Sequence, residues 1–320
     1  MIWILNLALF VGSASLLYIA SEMIVSGLVR LARYFGWKEF VVAFFVMAMA
    51  ASLPNFFVGL TSALKNIPQL SFGDIMGNNI IALTVAVALA TFFAPKKELP
   101  ADGQTIQSTL IFTTVAALLP LLLIVDNVLS RGDGLILILF FLSYIYWLFS
   151  KKERFTKTYD PTDTAKLNLS QALLTTTKIT GGIGILFVAS QGIVLSATFL
   201  ATDLGLPLIL VGIIILGLGS ALPEIYFAFS SARRGETDMI LGNLMGSVII
   251  PASLILGLVA IIHPISSQSL AWIASSRMVL LLAIILFFVF TRSSHKISQR
   301  ESLILLLVYL VFIMTIIFYK

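Results

Sequence analysis

A chain of 320 residues with 59% hydrophobic and 11% charged residues cannot clothe a water-soluble surface, so the composition excludes a soluble domain and indicates an integral membrane protein. The formal net charge of +5 does not point to nucleic acid, because the basic residues fall in short loops beside apolar runs and act as topology signals. With no cysteine, the chain has no disulfide, no thiolate metal site and no cysteine nucleophile.

Apolar runs long enough to cross about 30 Å of hydrocarbon predict ten spans, near 2–29, 39–64, 70–95, 105–125, 133–150, 176–201, 206–232, 238–262, 270–291 and 302–319. The expected fold class is all-α integral membrane. The first span is too long, and too poor in basic leader residues, to read as a cleavable signal peptide. The largest polar stretch, 151–169, carries Lys151, Lys152, Arg154, Lys157 and Lys166 and reads as a short solvated loop. It divides the chain into a first half, 1–150, and a second half, 170–320, of five spans each. With the N-terminus outside, 16 Lys and Arg residues fall on the cytoplasmic side and 4 on the other. A multi-pass protein of the plasma membrane with both termini extracytoplasmic is therefore expected.

Residues 20–80 recur at 189–249 at a constant offset of 169, and 16 of the 61 aligned positions are identical. The matches include Ser21/Ser190, Leu53/Leu222, Pro54/Pro223, Gly73/Gly242 and Gly77/Gly246. An odd number of spans per copy makes the second copy enter the membrane upside down, so two inverted five-helix repeats are predicted. Such a pair presents one site alternately to two sides.

The polar chemistry concentrates in two segments of each repeat. They are Ala50-Ala51-Ser52-Leu53-Pro54-Asn55 and Gly73-Asp74-Ile75-Met76-Gly77-Asn78-Asn79, and then Gly219-Ser220-Ala221-Leu222-Pro223-Glu224 and Gly242-Asn243-Leu244-Met245-Gly246-Ser247. A proline within a span removes a donor and frees a carbonyl about a turn earlier, so broken helices are expected, with backbone oxygens available near Ala48, Ala51, Gly217 and Ser220. Asn55, Asn78, Ser220, Ser247 and Glu224 lie beside these breaks and offer the hard oxygen ligands that sodium or calcium prefers. The glycines at four-residue spacing suit close helix packing equally well.

Glu224 is the one carboxylate at a break. An ionised Glu at the centre of a span costs about 2.5–3.5 kcal/mol on insertion scales, so it calls for a partner, whether an ion, a proton or a neighbouring helix. Asp74, whose repeat mate is Asn243, reads either as a helix N-terminal cap near the membrane surface or as a second site charge. Glu22, the mate of Gln191, is expected to pair with Arg30 or Lys38 at the interface. Asp126, Asp133 and Asp203 are read as solvated loop charges. His263 and His295 stand apart, without metal-ligand spacing.

At these residues the sequence resembles the cation/calcium antiporter superfamily, and within it the sodium/calcium exchanger membrane region of prokaryotic type. The resemblance rests on a Ser-Leu-Pro-Glu type motif followed by Gly-Asn-x-x-Gly-Ser in each repeat, and it covers the whole chain. It implies broken second and seventh spans, third and eighth spans packed against them, ion sites near the midplane, and a long, loosely packed first and sixth pair that slides during transport. Carried over by position, Glu224 is the acidic ligand of the second repeat, with Asn55 at its first-repeat counterpart. Ser220 and Ala51 occupy the threonine positions, while Ser247 and Asn78 occupy serine positions. Ala82 and Pro251 stand where Asn or Asp is usual. With Glu224 as the sole central charge, charge arithmetic favours sodium or protons over calcium, since a divalent ion in a singly charged shell leaves charge uncompensated in low dielectric. A lone Glu in apolar surroundings can carry a proton in one direction and a metal ion in the other.

The expected function is therefore secondary cation antiport by alternating access. The expected partners are small inorganic cations and the lipid bilayer, with no cofactor and no obligatory protein partner. No phosphate loop or catalytic constellation suggests an enzyme. The alternative is a degenerate exchanger homologue that binds cations weakly and has a structural or regulatory role.

Overall fold

The computed structural model describes residues 2–34, 49, 52–150, 169–235, 237, 240–266 and 270–318. Ala48, Ala51, Lys38 and nearly all of the 151–169 loop lie outside the described residues. The helices in chain order are α1 (Ile2–Tyr34), α2 (Leu53–Leu64), α3 (Gln69–Phe93), α4 (Gln104–Leu123), α5 (Arg131–Ser150), α6 (Leu169–Leu204), α7 (Leu208–Arg234), α8 (Ile240–Ile262), α9 (Leu270–Ser293) and α10 (Gln299–Phe318). Among the described residues nine helices are long and apolar enough to cross a membrane, and α2 is a shorter apolar helix of 12 residues. The molecule is an all-α membrane protein.

Among the described residues, three of the central helices contain a wide, π-helical turn, over Ala82–Ala86 in α3, Gly212–Leu216 in α7 and Pro251–Ile255 in α8. The turns in α3 and α8 fall on the same repeat position, at the offset of 169. Each is laced by a hydroxyl bonded one turn back, Thr84 to the Ile80 carbonyl and Ser253 to the Ile249 carbonyl, both at 2.5 Å. Pro251 has no N–H to give the preceding turn, so the helix widens there without losing a bond it could have made. In α7 the expected interruption takes this form too. The wide turn precedes an α-helix, Gly217–Arg234, that runs on through Pro223.

The spans pack by bringing backbones together at glycine. A Cβ on Gly73 or Gly77 of α3 would run into the carbonyl oxygens of Ile209 or Ile213 of α7, and one on Gly217 would lie 2.7 Å from the Gly77 Cα. On the far side, Gly134 of α5 and Gly257 of α8 meet the same way, each Cβ falling within 2.8 Å of the other's carbonyl oxygen. In a membrane, where apolar surface gains little by hiding from lipid, such close approach is what holds helices together.

Two short strand pairs tie the halves to each other. β1 (Glu98–Pro100) pairs antiparallel with β4 (Lys296–Ser298), and β2 (Val128–Leu129) with β3 (Ile265–Ser266). Lys296 bonds Glu98 across the first pair at 2.7 Å, and that contact pushes the lysine pKa up. Asp133, expected as a free loop charge, caps α5 instead: its carboxylate accepts from the N–H and hydroxyl of Ser130 at 2.8 and 2.7 Å. Glu301 and Ser298 repeat that capping box ahead of α10. Asp126 accepts from the Val128 N–H at 3.1 Å.

α1 and α6 lie against each other and outside this bundle. Leu17, Ala20 and Ile24 of α1 share an apolar cluster with Leu186, Ala189 and Ile193 of α6, which also takes in Phe57 and Val58 of α2 and Val211 and Leu216 of α7. At 33 and 36 residues and about 1.5 Å per residue, both exceed the roughly 20 residues a span needs. Their outer faces expose Ile4, Leu5, Leu173 and Val188, an apolar surface suited to lipid.

Candidate cation site

The polar residues singled out by the repeat fall in pairs spaced four apart, which a helix places on one face, one turn above the other. α3 carries Asp74 and Asn78, α7 carries Ser220 and Glu224, and α8 carries Asn243 and Ser247. Asn55 stands in the first turn of α2, beside Pro54. Its partner in this pattern, Ala51, lies outside the described residues.

At Asp74 the structure removes one of the two readings that the sequence left open. It is no helix cap: α3 is capped at Pro68, and Asp74 sits in the second turn with 1% of its surface exposed. Its carboxylate accepts a hydrogen bond from the Ser220 hydroxyl of α7 at 2.7 Å. This contact is possible because the glycines flanking Asp74 let α3 and α7 touch backbone to backbone; a Cβ on Gly212 would fall 3.0 Å from the Asp74 nitrogen. The glycine spacing and the site are thus one feature. Glu224 stands one turn beyond Ser220 on the same face of α7. The centre therefore contains two carboxylates, not the single one the motif comparison gave.

Around them are polar atoms with nothing to bond. Both side-chain atoms of Asn55, both of Asn78 and Oε2 of Glu224 are buried without a hydrogen-bond partner among the described residues. A buried polar atom left unpaired costs about 1–3 kcal/mol, so such a concentration marks a place shaped for something else to fill. Asn79 Oδ1 and Ser71 Oγ, which the sequence reading passed over, are in the same condition. Ser247 is buried but turns its hydroxyl to the Leu244 carbonyl of its own helix at 3.0 Å. Ser220 Oγ also lies 3.3 Å from the Gly217 carbonyl, one of the backbone oxygens expected to be available. No cluster of three His, Asp or Glu residues exists among the described residues, so the donor set is two carboxylates with neutral amide and hydroxyl oxygens. Hard cations prefer such a set, whereas zinc and copper favour nitrogen and sulfur ligands.

Two cavities reach this centre along the seam between α1 and α7, and Tyr18, Pro54 and Pro223 line both. The larger, about 440 Å³, is mostly apolar and ends at Asp74 and Ser220. The smaller, about 250 Å³, contains Glu224, Asn243, Ser21, Glu22, Ser230 and Arg234. Glu22, expected to pair with Arg30 or Lys38, thus lines the approach to Glu224.

The family model described as sodium/calcium exchanger protein matches residues 5–150 and 176–318. Among curated relatives, inner membrane protein YrbG of Escherichia coli is 27% identical over 288 residues, 87% of this chain and 86% of the relative. Sodium/calcium exchanger MaX1 of Methanosarcina acetivorans is 24% identical, over 92% of this chain and 94% of that one. Among solved structures, the H+/Ca2+ exchanger CAX has the same fold with a TM-score of 0.77 at 17% identity, over 98% of this chain and 82% of that one. The sodium-calcium exchanger NCX_Mj, soaked with Na+ and Sr2+, gives 0.66 at 22%, over 98% and 99%.

Proposed function

The chain belongs to the sodium/calcium exchanger protein family, and from that premise we propose that it is a secondary cation antiporter working by alternating access. Its ions sit where α2, α3, α7 and α8 cross, held by Asp74, Glu224, Asn55, Asn78, Ser220 and Ser247, with Asn243 on the approach. Its two inverted repeats, 1–150 and 170–320, exchange roles between the two faces, and both termini lie outside the cytoplasm. Support for the repeats comes from the wide turns of α3 and α8 at matched positions and from the reciprocal pairing of β1 with β4 and β3 with β2.

The observation that supports the reading is the Ser220–Asp74 hydrogen bond, made one helical turn from Glu224 on α7. It changes the charge arithmetic. The family motif's first-repeat acid is Asn55 here, but the neighbouring helix supplies Asp74 where the motif has Asn, so the charge has moved from α2 to α3. A shell of formal charge −2 compensates one divalent ion or two monovalent ones. The exchanged ions are therefore sodium or protons on one side of the cycle and calcium on the other, the exchanges for which MaX1 and CAX are named. The unpartnered atoms of Asn55, Asn78 and Glu224 count against a chain that has lost its site.

The test is flux in proteoliposomes loaded with sodium, calcium or a pH dye, comparing wild type with Glu224→Gln. Counter-ion-dependent calcium movement that disappears in the variant is the expected result. A folded wild type that exchanges no pair of these ions would overturn it.

A further inference from the structure

The repeat offset places Thr61 of α2 on Ser230 of α7, Ser190 of α6 on Ser21 of α1, and Gln191 on Glu22. One of these matched sets is joined and the other is apart. Thr61 and Ser190 share a hydrogen bond of 2.7 Å, and the Gln191 amide donates to Thr61 Oγ1 at 3.4 Å. Thr61 and Ser190 are fully buried. In the other set, Ser21 Oγ is buried with no partner among the described residues, and Ser230 turns back to the Phe227 carbonyl of its own helix at 3.2 Å. Ser21, Glu22 and Ser230 all line the smaller cavity, the one that contains Glu224. The helices follow the side chains: α6 packs along α2, whereas no comparable packing of α1 on α7 exists among the described residues.

We propose that these two sets are alternating latches, one at each end of the cation site, and that the structure has the Thr61–Ser190 latch shut and the Ser21–Ser230 latch open. The proposal rests on the antiporter reading above. A duplicated fold can hold each half in the conformation the other half has just left, so the joined contact shows what the open one becomes. When α1 closes on α7, Ser230 Oγ releases Phe227, meets Ser21 Oγ, and donates to Glu22 where Gln191 donates to Thr61. The unpartnered Ser21 hydroxyl gains a bond, and the cavity leading to Glu224 disappears. In the proposed topology this latch faces the cytoplasm, and the closed one faces out. These residues position the helices and do not touch the ion.

A chain without cysteine needs no background substitution for cross-linking. Thr61→Cys/Ser190→Cys and Ser21→Cys/Ser230→Cys are made in the full chain, reconstituted, oxidised, and followed by disulfide yield and by ion flux before and after reduction. Both disulfides are expected to form as the protein cycles, the first faster without an ion gradient. Each should stop exchange, and reduction should restore it. The latches are overturned if the 61–190 disulfide forms and the 21–230 disulfide never does, or if either forms and exchange continues. Should a pair fail to fold, Gln191→Cys with Thr61→Cys and Glu22→Cys with Ser230→Cys ask the same question. A wild type without flux would overturn the antiporter reading alone, because the two disulfide yields are read without transport.

Discussion

The α3–α7 crossing and the α1–α6 pair are built on opposite principles. At the crossing, Gly73, Gly77, Gly212 and Gly217 bring main chains into contact, so a shift of one helix against the other meets hard backbone within a fraction of an ångström. Between α1 and α6 the glycines face mainly side chains, Gly27 meeting Ile179, Gly182 meeting Ile24 and Gly192 meeting Ser13, within a layer of aliphatic residues such as Leu17 and Ile193 that can change rotamer as helices slide. The first arrangement fixes ligands; the second lets the wall beside them move. A carrier needs both, since a cation site must keep its geometry while its exits open and close.

Removing charge from the fixed region gives the largest effect. Glu224→Gln is expected to reduce exchange to background while the protein elutes from size exclusion as wild type does; retained exchange would mean the ions bind elsewhere. Ser220→Ala takes the donor from Asp74, and hydrogen bonds to charged groups are worth about 1.5–3 kcal/mol. Calcium affinity read by competition flux should weaken roughly tenfold, since each 1.4 kcal/mol is a factor of ten. Gly77→Ala pushes a methyl into the Ile213 carbonyl, and overpacking of this kind costs about 1–3 kcal/mol, so the melting temperature in detergent should fall clearly. The same change at Gly27 of α1, where an added Cβ meets only side-chain atoms of Ile179 and Thr175 of α6, should cost less, because those side chains can give way. Equal effects at Gly77 and Gly27 would erase the contrast between the two regions.

Much of the fold was legible because a membrane forces long apolar runs into helices: nine of the predicted spans fall on helices with ends a few residues apart, except that α6 begins at Leu169, seven residues before the expected 176, while the start of the second span, 39–64, lies outside the described residues. The repeat was legible for the same reason that it matters, two copies under one set of constraints. Asp74 stayed open between a cap and a site charge because its partner, Ser220, lies 146 residues away, and near the start of a span a carboxylate looks like a cap until the crossing helix is known. The wide turns were not anticipated, although Pro251 was a signal for one; it was read only as a missing ligand. Ser130 with Asp133, and Ser298 with Glu301, fit the Ser-x-x-acid capping pattern and could have been recognised. The two-residue and three-residue strands had no sequence signal long enough to read. Thr61 and Ser190 gave none either, since isolated hydroxyls in a membrane helix usually bond their own backbone, as Ser62 and Thr91 do here.

The central claim is that Asp74 restores the charge missing at Asn55. The direct test is calcium flux by Asp74→Asn in proteoliposomes under a sodium or a proton gradient. The account predicts that calcium movement is lost, with the variant still folded, because a shell of one carboxylate no longer compensates a divalent ion. Calcium flux equal to wild type would contradict it and leave Glu224 as the only charge the cycle uses.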